Sequence, residues 1–324
     1  MTLREGILAV LEEHRGEFIS GETLAATLSV SRSAVWKAIR RLQEDGHEIT
    51  AVPNRGYCLA PSSQVLSPQS IRPHLHDGSL SLLVYPEVSS TNTLAKQMVE
   101  AGAPEGTVIL AETQTAGRGR RDHSFHSPPE GGIYMSLILR PAFSARDSLC
   151  ITTCAAVAVA RAIEEVSGVE ARIKWVNDVF CHGKKVCGIS TEASIDLESG
   201  GLRYAVLGIG INVFPGDEPF SPALSAVATT VFPARPQGAD VRSRLVAGVL
   251  NYFWAEYPRL TEKHFFEAYR TRSFLLGQPI NILRGRETIP ALALDLDRDF
   301  GLRVRLDDGT EETLSSGEVS IRPR

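Results

Sequence analysis

The sequence lacks the features that announce several common protein classes. It has five cysteines in 324 residues. Cys58, Cys150, Cys154, Cys181 and Cys187 are an odd set without CxxC spacing, which excludes a disulfide framework and a zinc site and points to a reducing compartment. Long hydrophobic runs are also missing. The apolar stretch Cys150–Ala160 is too short to span a bilayer and runs into Arg161, Glu164 and Glu165. The N-terminal MTLREGILAVLEEH mixes charges into its apolar residues, unlike a signal peptide, so a cytoplasmic protein with no membrane partner is expected. There is no excess of one charge. Lys and Arg number 34 against 38 Asp and Glu, for a net charge of −4, so any nucleic-acid contact must be a local feature. No GxGxxG opens a helix, no GxxxxGK[ST] occurs, and no repeat or low-complexity tract appears.

What is there is the composition of an ordinary globular chain, 43% hydrophobic and 22% charged. The length suits two or three domains, and three regions separate by pattern, at 1–62, 65–271 and 273–324. In the first, Leu3, Ile7, Leu8 and Leu11 fall at helical spacing. Ser20-Gly21-Glu22 opens a second helix. Ser31 is placed to cap a third that carries Val35, Ile39 and Leu42. His47–Val52 and Gly56–Ala60 read as strands about a Pro53-Asn54-Arg55 turn, and Pro61-Ser62-Ser63-Gln64 as a linker. The second region mixes strands (Val108–Ala111, Ile133–Leu139, Arg172–Trp175, Val186–Thr191, Tyr204–Ile211) with helices (Thr93–Ala101, Ser148–Val166, and two within 241–256 and 261–270). The third is short strands at Ile280–Leu283, Ala291–Leu296, Leu302–Leu306 and Val319–Ile321. The expected class is α+β: a winged helix-turn-helix, a central mixed sheet and a small SH3-like antiparallel barrel.

In a winged helix-turn-helix the third helix enters the major groove of DNA. Here that helix carries Arg32, Lys37, Arg40 and Arg41, with Ser31 and Ser33 at its amino end, and Arg55 lies at the wing tip. Residues 1–60 hold seven Lys and Arg against eight Asp and Glu, so the cations are focused rather than abundant. Ser31, Arg32, Ser33, Lys37, Arg40 and Arg55 are the candidate DNA contacts. A helical interaction module with a solvated basic face fits the same residues, and Trp36, one position past Val35, reads as half buried.

The most informative segment is Glu112-Thr113-Gln114-Thr115-Ala116-Gly117-Arg118-Gly119-Arg120-Arg121, directly after a strand. Glycines let a backbone close tightly on a ligand, and arginine forks match carboxylate and phosphate oxygens. A loop holding a carboxylate beside a phosphate needs both, because the two anions repel. A surface loop that binds RNA or nothing is the plainer alternative.

With that loop, further segments resemble the bifunctional biotin–protein ligases that also repress biotin genes. Ser90-Thr91-Asn92 is similar to the family's STN segment, Gln114 with Gly117–Arg121 to QxAGRGRR, Lys174–Asp178 to KWPND, Lys184–Ile189 to its lysine-glycine strand, and Gly208–Val213 to GIGIN. The resemblance spans the whole chain. It implies an ATP-dependent, AMP-forming ligase that makes biotinyl-5′-AMP and passes biotin to a lysine of biotin carboxyl carrier protein. Mg²⁺ is the implied cofactor, operator DNA a partner, and a homodimer the adenylate-bound state. It implies that Ser90, Thr91, Asn92, Gln114, Gly119 and Gly188 surround biotin, and that Arg118, Arg120 and Lys185 act on its carboxylate and the phosphate. Arg121, Phe125, Asn177, Asp178 and Asn212 would join Arg118 and Arg120 around the adenylate, Asp178 also as a metal ligand. Three departures stand out: Val176 for the proline of KWPND, Asp122 after the arginines, and Ser190-Thr191-Glu192 for an apolar stretch. A lipoate–protein ligase and a ligand-sensing repressor without catalysis remain the alternatives.

Overall fold

The computed structural model describes residues 2–119, 125–195, 201–216, 220–284, 287–315 and 318–321. Its N-terminal part is three helices and a hairpin. Helix α1 (Leu3–Glu13) begins at Thr2, whose hydroxyl accepts the Glu5 amide while the Glu5 carboxylate accepts the Thr2 amide, a reciprocal cap. Helices α2 (Gly21–Thr27) and α3 (Arg32–Glu44) start on Ser20 and Ser31, each capping the amide three residues on. Strands β1 (Ile49–Val52) and β2 (Gly56–Leu59) form the wing. Gly56 has a φ of 101°, and a Cβ there would strike the Ile19 carbonyl, so glycine is required. Ile7, Leu11, Leu24, Val35, Ile39 and Leu59 close a separate core.

After the short helix α4 (Pro68–Ile71), the central part is a seven-stranded sheet. Its strands are β3 (Ser81–Val88), β4 (Thr107–Gln114), β5 (Gly132–Leu139), β6 (Arg172–Lys174), β7 (Asp178–Cys181), β8 (Lys184–Ile195) and β9 (Leu202–Asn212), in the order β3-β4-β5-β9-β8-β7-β6. β3 and β4 are parallel, joined by α5 (Thr91–Glu100), and every other neighbour is antiparallel. Alternation along the strands sends Ile109, Ile138 and Val206 to the α5 side, where they meet Ala95 and Val99 of that helix. Leu110, Leu137, Leu207 and Ile209 pack on the other side under α6 (Leu149–Ser167) and α8 (Val241–Glu256). The alanines of α6 are buried and let α8 come close, Gly248 lying against Ala162. Helix α7 (Pro222–Val227) lies beside β8. Helix α9 (Phe266–Arg272) starts later than the sequence pattern implied, because Tyr257–Glu262 makes a tight 3-10 turn ended by Lys263 at a φ of 57°.

The C-terminal part is a five-stranded antiparallel sheet of β10 (Pro279–Arg284), β11 (Glu287–Leu296), β12 (Leu302–Leu306), β13 (Glu311–Leu314) and β14 (Glu318–Ile321), ordered β13-β12-β11-β10-β14. It is fastened to the central sheet by Trp175, whose indole donates to the Phe300 carbonyl at 2.8 Å. Phe300 in turn packs on Phe265, Phe266 and Tyr269. Trp175 is thus a core residue, 4% exposed. Among the described residues no helix is long and apolar enough to cross a membrane. All five cysteines are free and buried.

Candidate active site

The site lies on the α5 side of the sheet, and strand register builds it. Gly188 of β8 stands opposite Gly210 of β9, which stands opposite Tyr134 of β5. One step along, Ser190, Gly208 and Ser136 form a second row. Since alternate residues share a face, the glycines of the Gly-Ile-Gly-Ile segment all point to this side while Ile209 and Ile211 enter the core. Three missing side chains leave a bare strip of backbone on which a flat ligand can lie. In this structure the Phe125 ring rests on that strip. A Cβ on Gly210 would sit 2.6 Å from it, and one on Gly188 3.5 Å.

Walls rise around the floor. Thr91, at the first turn of α5, donates from its amide to Gln114 Oε1 at 2.9 Å and from its hydroxyl at 3.2 Å. Gln114 Nε2 donates to Ser127 Oγ at 3.0 Å, and that hydroxyl donates to the Phe125 carbonyl. The Phe125 amide donates to the Gly117 carbonyl at 2.9 Å. Gly117 is hemmed in, with room for a Cβ denied by the Phe125 carbonyl and Ser127. Ser136, fully buried, donates to Thr91 Oγ1 (2.8 Å) and Asn92 Oδ1 (2.6 Å), and the Asn92 amide donates to Ser190 and Glu192. Burial alone would raise the Glu192 carboxyl, but bonds from Lys96 and Asn92 and the charges of Lys96 and Arg118 hold it below the ordinary range.

Lys185 closes the far end. Between β7 and β8 the register slips: Val179 faces Cys187, yet Phe180 faces Lys185. The extra residue, Val186, is a β-bulge, and such a bulge re-aims its neighbours. Lys185 therefore lies on the same side as Gly188, its Cε and Nζ 3.3 Å from where a Gly188 Cβ would be. Its ammonium pairs with Asp178 Oδ1 at 2.7 Å. Lys184 instead turns away to the Ser225 carbonyl.

The structure thus gathers Ser90, Thr91, Asn92, Gln114, Arg118, Gly119, Phe125, Asn177, Lys185 and Gly188 around one cavity, with Asp178 beside it through Lys185. Arg120 and Arg121, with Asp122, lie outside the described residues. Asn212 does not line the cavity; its amide donates to the Thr229 carbonyl at 3.2 Å, at the end of β9. The Asn177 amide donates to the Ile189 carbonyl at 2.7 Å. Ser90 precedes α5, but its hydroxyl makes no capping bond, and the helix starts at Thr91 rather than near Thr93. Sequence reasoning missed Ser127, Ser136 and Glu192. Of these, Ser136 carried a signal, a lone serine in the otherwise hydrophobic strand Gly132–Leu139.

A second omission ties the site to the N-terminal part. Arg242 of α8, 1% exposed, donates to the Gly132 carbonyl from Nε (3.0 Å) and Nη2 (2.7 Å), and to the Gln64 carbonyl (2.9 Å). It also pairs with Glu112 at 2.8 Å, and Glu112 accepts the Leu66 amide. One guanidinium so holds the linker and the strands that carry the Gly/Arg loop. Arg15, in the turn after α1, adds a bond to the Ser63 carbonyl and a pair with Asp240. Ser31, which caps α3, and Arg32, Ser33, Lys37 and Arg40 on it are exposed. Exposed Arg55 at the wing lies over the Phe18 ring, 4.1 Å from its centroid.

Among the described residues no cluster of three His, Cys, Asp or Glu suits a metal ion. Asp178, a lone carboxylate already engaged by Lys185, does not make a resident Mg²⁺ site.

Comparison with known proteins agrees with this geometry. Residues 4–58 match the HTH domain model, residues 84–212 the biotin/lipoate A/B protein ligase family, and residues 275–322 the biotin protein ligase C terminal domain. The chain is 36% identical to the bifunctional ligase/repressor BirA of Bacillus subtilis over 97% of its length and 98% of that protein's. It is 27% identical to the protein of that name from Escherichia coli, over 95% and 94%. The biotin protein ligase of Aquifex aeolicus, solved in complex with biotin and ATP, superposes with a TM-score of 0.62 at 27% identity, covering 75% of this chain and 99% of that one. The chain belongs to the biotin–protein ligase family, with the three-part organisation of its bifunctional ligase/repressors.

Proposed function

We propose that this chain activates biotin with ATP, transfers it to a lysine of a biotin carboxyl carrier protein, and binds operator DNA through its N-terminal part. One observation carries the ligase reading. A bare glycine floor lies between Thr91 and Gln114 on one side and Lys185 on the other, with the Gly/Arg loop along its edge. Thr91 and Gln114 supply polar partners for the ring end of biotin. Its carboxylate would then lie toward Lys185 and Arg118, and Arg120 of the same sequence segment is assigned to it with them. The carboxylate oxygen attacks the α-phosphorus of ATP, pyrophosphate leaves, and biotinyl-5′-AMP forms. The lysine amine then attacks the acyl carbon, AMP departs, and the amine loses a proton. The first step calls for neutralisation and alignment of two anions, which Lys185 and the cations of the Gly/Arg segment would provide. Mg²⁺ would come with the nucleotide, and no step is routed through a protein-held ion.

We assign biotin contacts to Ser90, Thr91, Asn92, Gln114, Gly119 and Gly188. Arg121, Phe125 and Asn177 are assigned to the adenylate, with Phe125 leaving the floor to cover it. The three parts divide at 1–62, 65–271 and 273–324, and the chain acts in the cytoplasm. A homodimer is part of this reading: among the described residues, strand β8 beyond Ile189 is paired in the sheet with β9 alone, and an unpaired edge suits a second copy.

The test is incubation with ATP, Mg²⁺, biotin and a carrier domain, followed by mass measurement. Gain of one biotinyl group supports the reading. Gain with lipoate and none with biotin would overturn it in favour of the sister activity, and no gain with either would favour a repressor without catalysis.

A further inference from the structure

Helix α3 buries Val35, Ala38, Ile39 and Leu42, which leaves Arg32, Ser33, Trp36, Lys37 and Arg40 facing outward. Trp36 is the oddity among them. It is 53% exposed, one of three large apolar side chains so exposed among the described residues. Helical spacing sets Arg32 one turn before it and Arg40 one turn after. The Arg40 guanidinium lies 5.7 Å from the Trp36 ring centroid, a cation–π contact that steadies the ring on the helix surface. The acid on this helix, Glu44, is at its far end and engaged by Arg41 at 2.8 Å. An indole ringed by cations suits a polyanion with an apolar feature between its charges. The amino-terminal half of a recognition helix is what reaches base edges, and the major groove offers one apolar feature there, the 5-methyl of thymine.

We propose that Trp36 reads sequence by packing on a thymine methyl in the major groove, with Arg32 and Arg40 on the flanking phosphates. This rests on the DNA-binding reading and adds a base preference to it. An indole offers one hydrogen-bond donor and no acceptor; replacing thymine by deoxyuridine removes the methyl and keeps the O4 acceptor, so it separates contact with the methyl from donor readout.

The experiment uses the full chain with biotin and ATP. Duplexes are selected from a random-sequence library, and each thymine of the enriched site is then replaced by deoxyuridine. At one position per half-site, affinity for the native chain falls about 5- to 10-fold. Trp36→Ala binds both duplexes alike, and Trp36→Phe restores part of the difference. Trp36→Ala leaves the salt dependence unchanged, whereas Arg40→Gln lowers its slope, because that slope counts phosphate contacts. A helix that failed to fold would lose the slope in both variants. If sequences are enriched but deoxyuridine is tolerated everywhere, or if Trp36→Ala keeps the discrimination, the proposal is overturned while the DNA-binding reading stands. If no sequence is enriched, the two fall together.

Discussion

Lys185 and Asp178 face each other at 2.7 Å across a bulge in the β7–β8 ladder, at the end of the glycine floor. The pair holds the ammonium ready in the absence of ligand, and an incoming carboxylate and phosphate would compete for it. Lys185→Gln should keep the fold and slow biotin-dependent pyrophosphate–ATP exchange by about 30- to 1,000-fold, equivalent to about 2–4 kcal/mol of transition-state stabilisation. Exchange at the native rate would remove Lys185 from the chemistry.

Gly210 is the floor's centre, with Phe125 resting on it. Gly210→Ala should raise the KM for biotin by at least about tenfold while the melting temperature hardly moves, since alanine fits extended backbone more readily than glycine. Steady-state kinetics with varied biotin will show it. An unchanged KM would mean that the ligand lies elsewhere on the sheet.

Arg242 serves Gly132, Gln64 and Glu112 at once from a fully buried position. Arg242→Met strands the Glu112 carboxylate without its counter-charge, which typically costs about 3–5 kcal/mol. In a chain of this size the melting temperature should fall by about 10 °C. Glu112→Gln in the same background should recover part of that loss, because a neutral amide tolerates the site. Thermal melts of the two variants decide this, and a double variant no better than the single one would refute it.

His47 sits 8% exposed where the N-terminal part meets the linker. Burial is the largest influence and pushes its pKa below the ordinary 6.5. Asp45 and Glu112 pull it upward, and Arg15 adds to the lowering. The native state thus resists protonation while the unfolded chain accepts a proton below about pH 6.5. The neutral imidazole's contribution is complete above that pH and is lost as pH falls from there toward the lowered native value. Urea melts at pH 7.5 and 5.5 should show this decline, and it should be smaller in His47→Gln. An equal decline in the variant would assign the effect to other groups.

Much of this protein was legible in its residues. Helical spacing of Leu3, Ile7 and Leu11, the Ser31 cap and the glycine-isoleucine alternation of residues 208–211 are local signals, and local geometry follows from them. The family resemblance also singled out most residues that meet around the cavity. Strands β3, β7 and β13 were missed: Ser81–Val88 carries Pro86 and Glu87 and pairs in the sheet only with β4 among the described residues, Asp178–Cys181 is short and alternates weakly, and Glu311-Glu312-Thr313-Leu314 looks like a polar loop until β12 pairs with it.

The order of the side chains along the chain determined which chemistry was available: a Gly/Arg loop, a lysine near a glycine strand, cations on one helix. Tertiary structure alone decided which of them share a space. Register between distant strands set Gly188 beside Gly210, and the bulge at Val186 turned Lys185 toward them. Pairing left Asn212 outside and drew in Ser136, and folding placed Arg242 where linker and loop strands converge. Such relations depend on contacts between segments far apart in sequence, and no local pattern of residues encodes them.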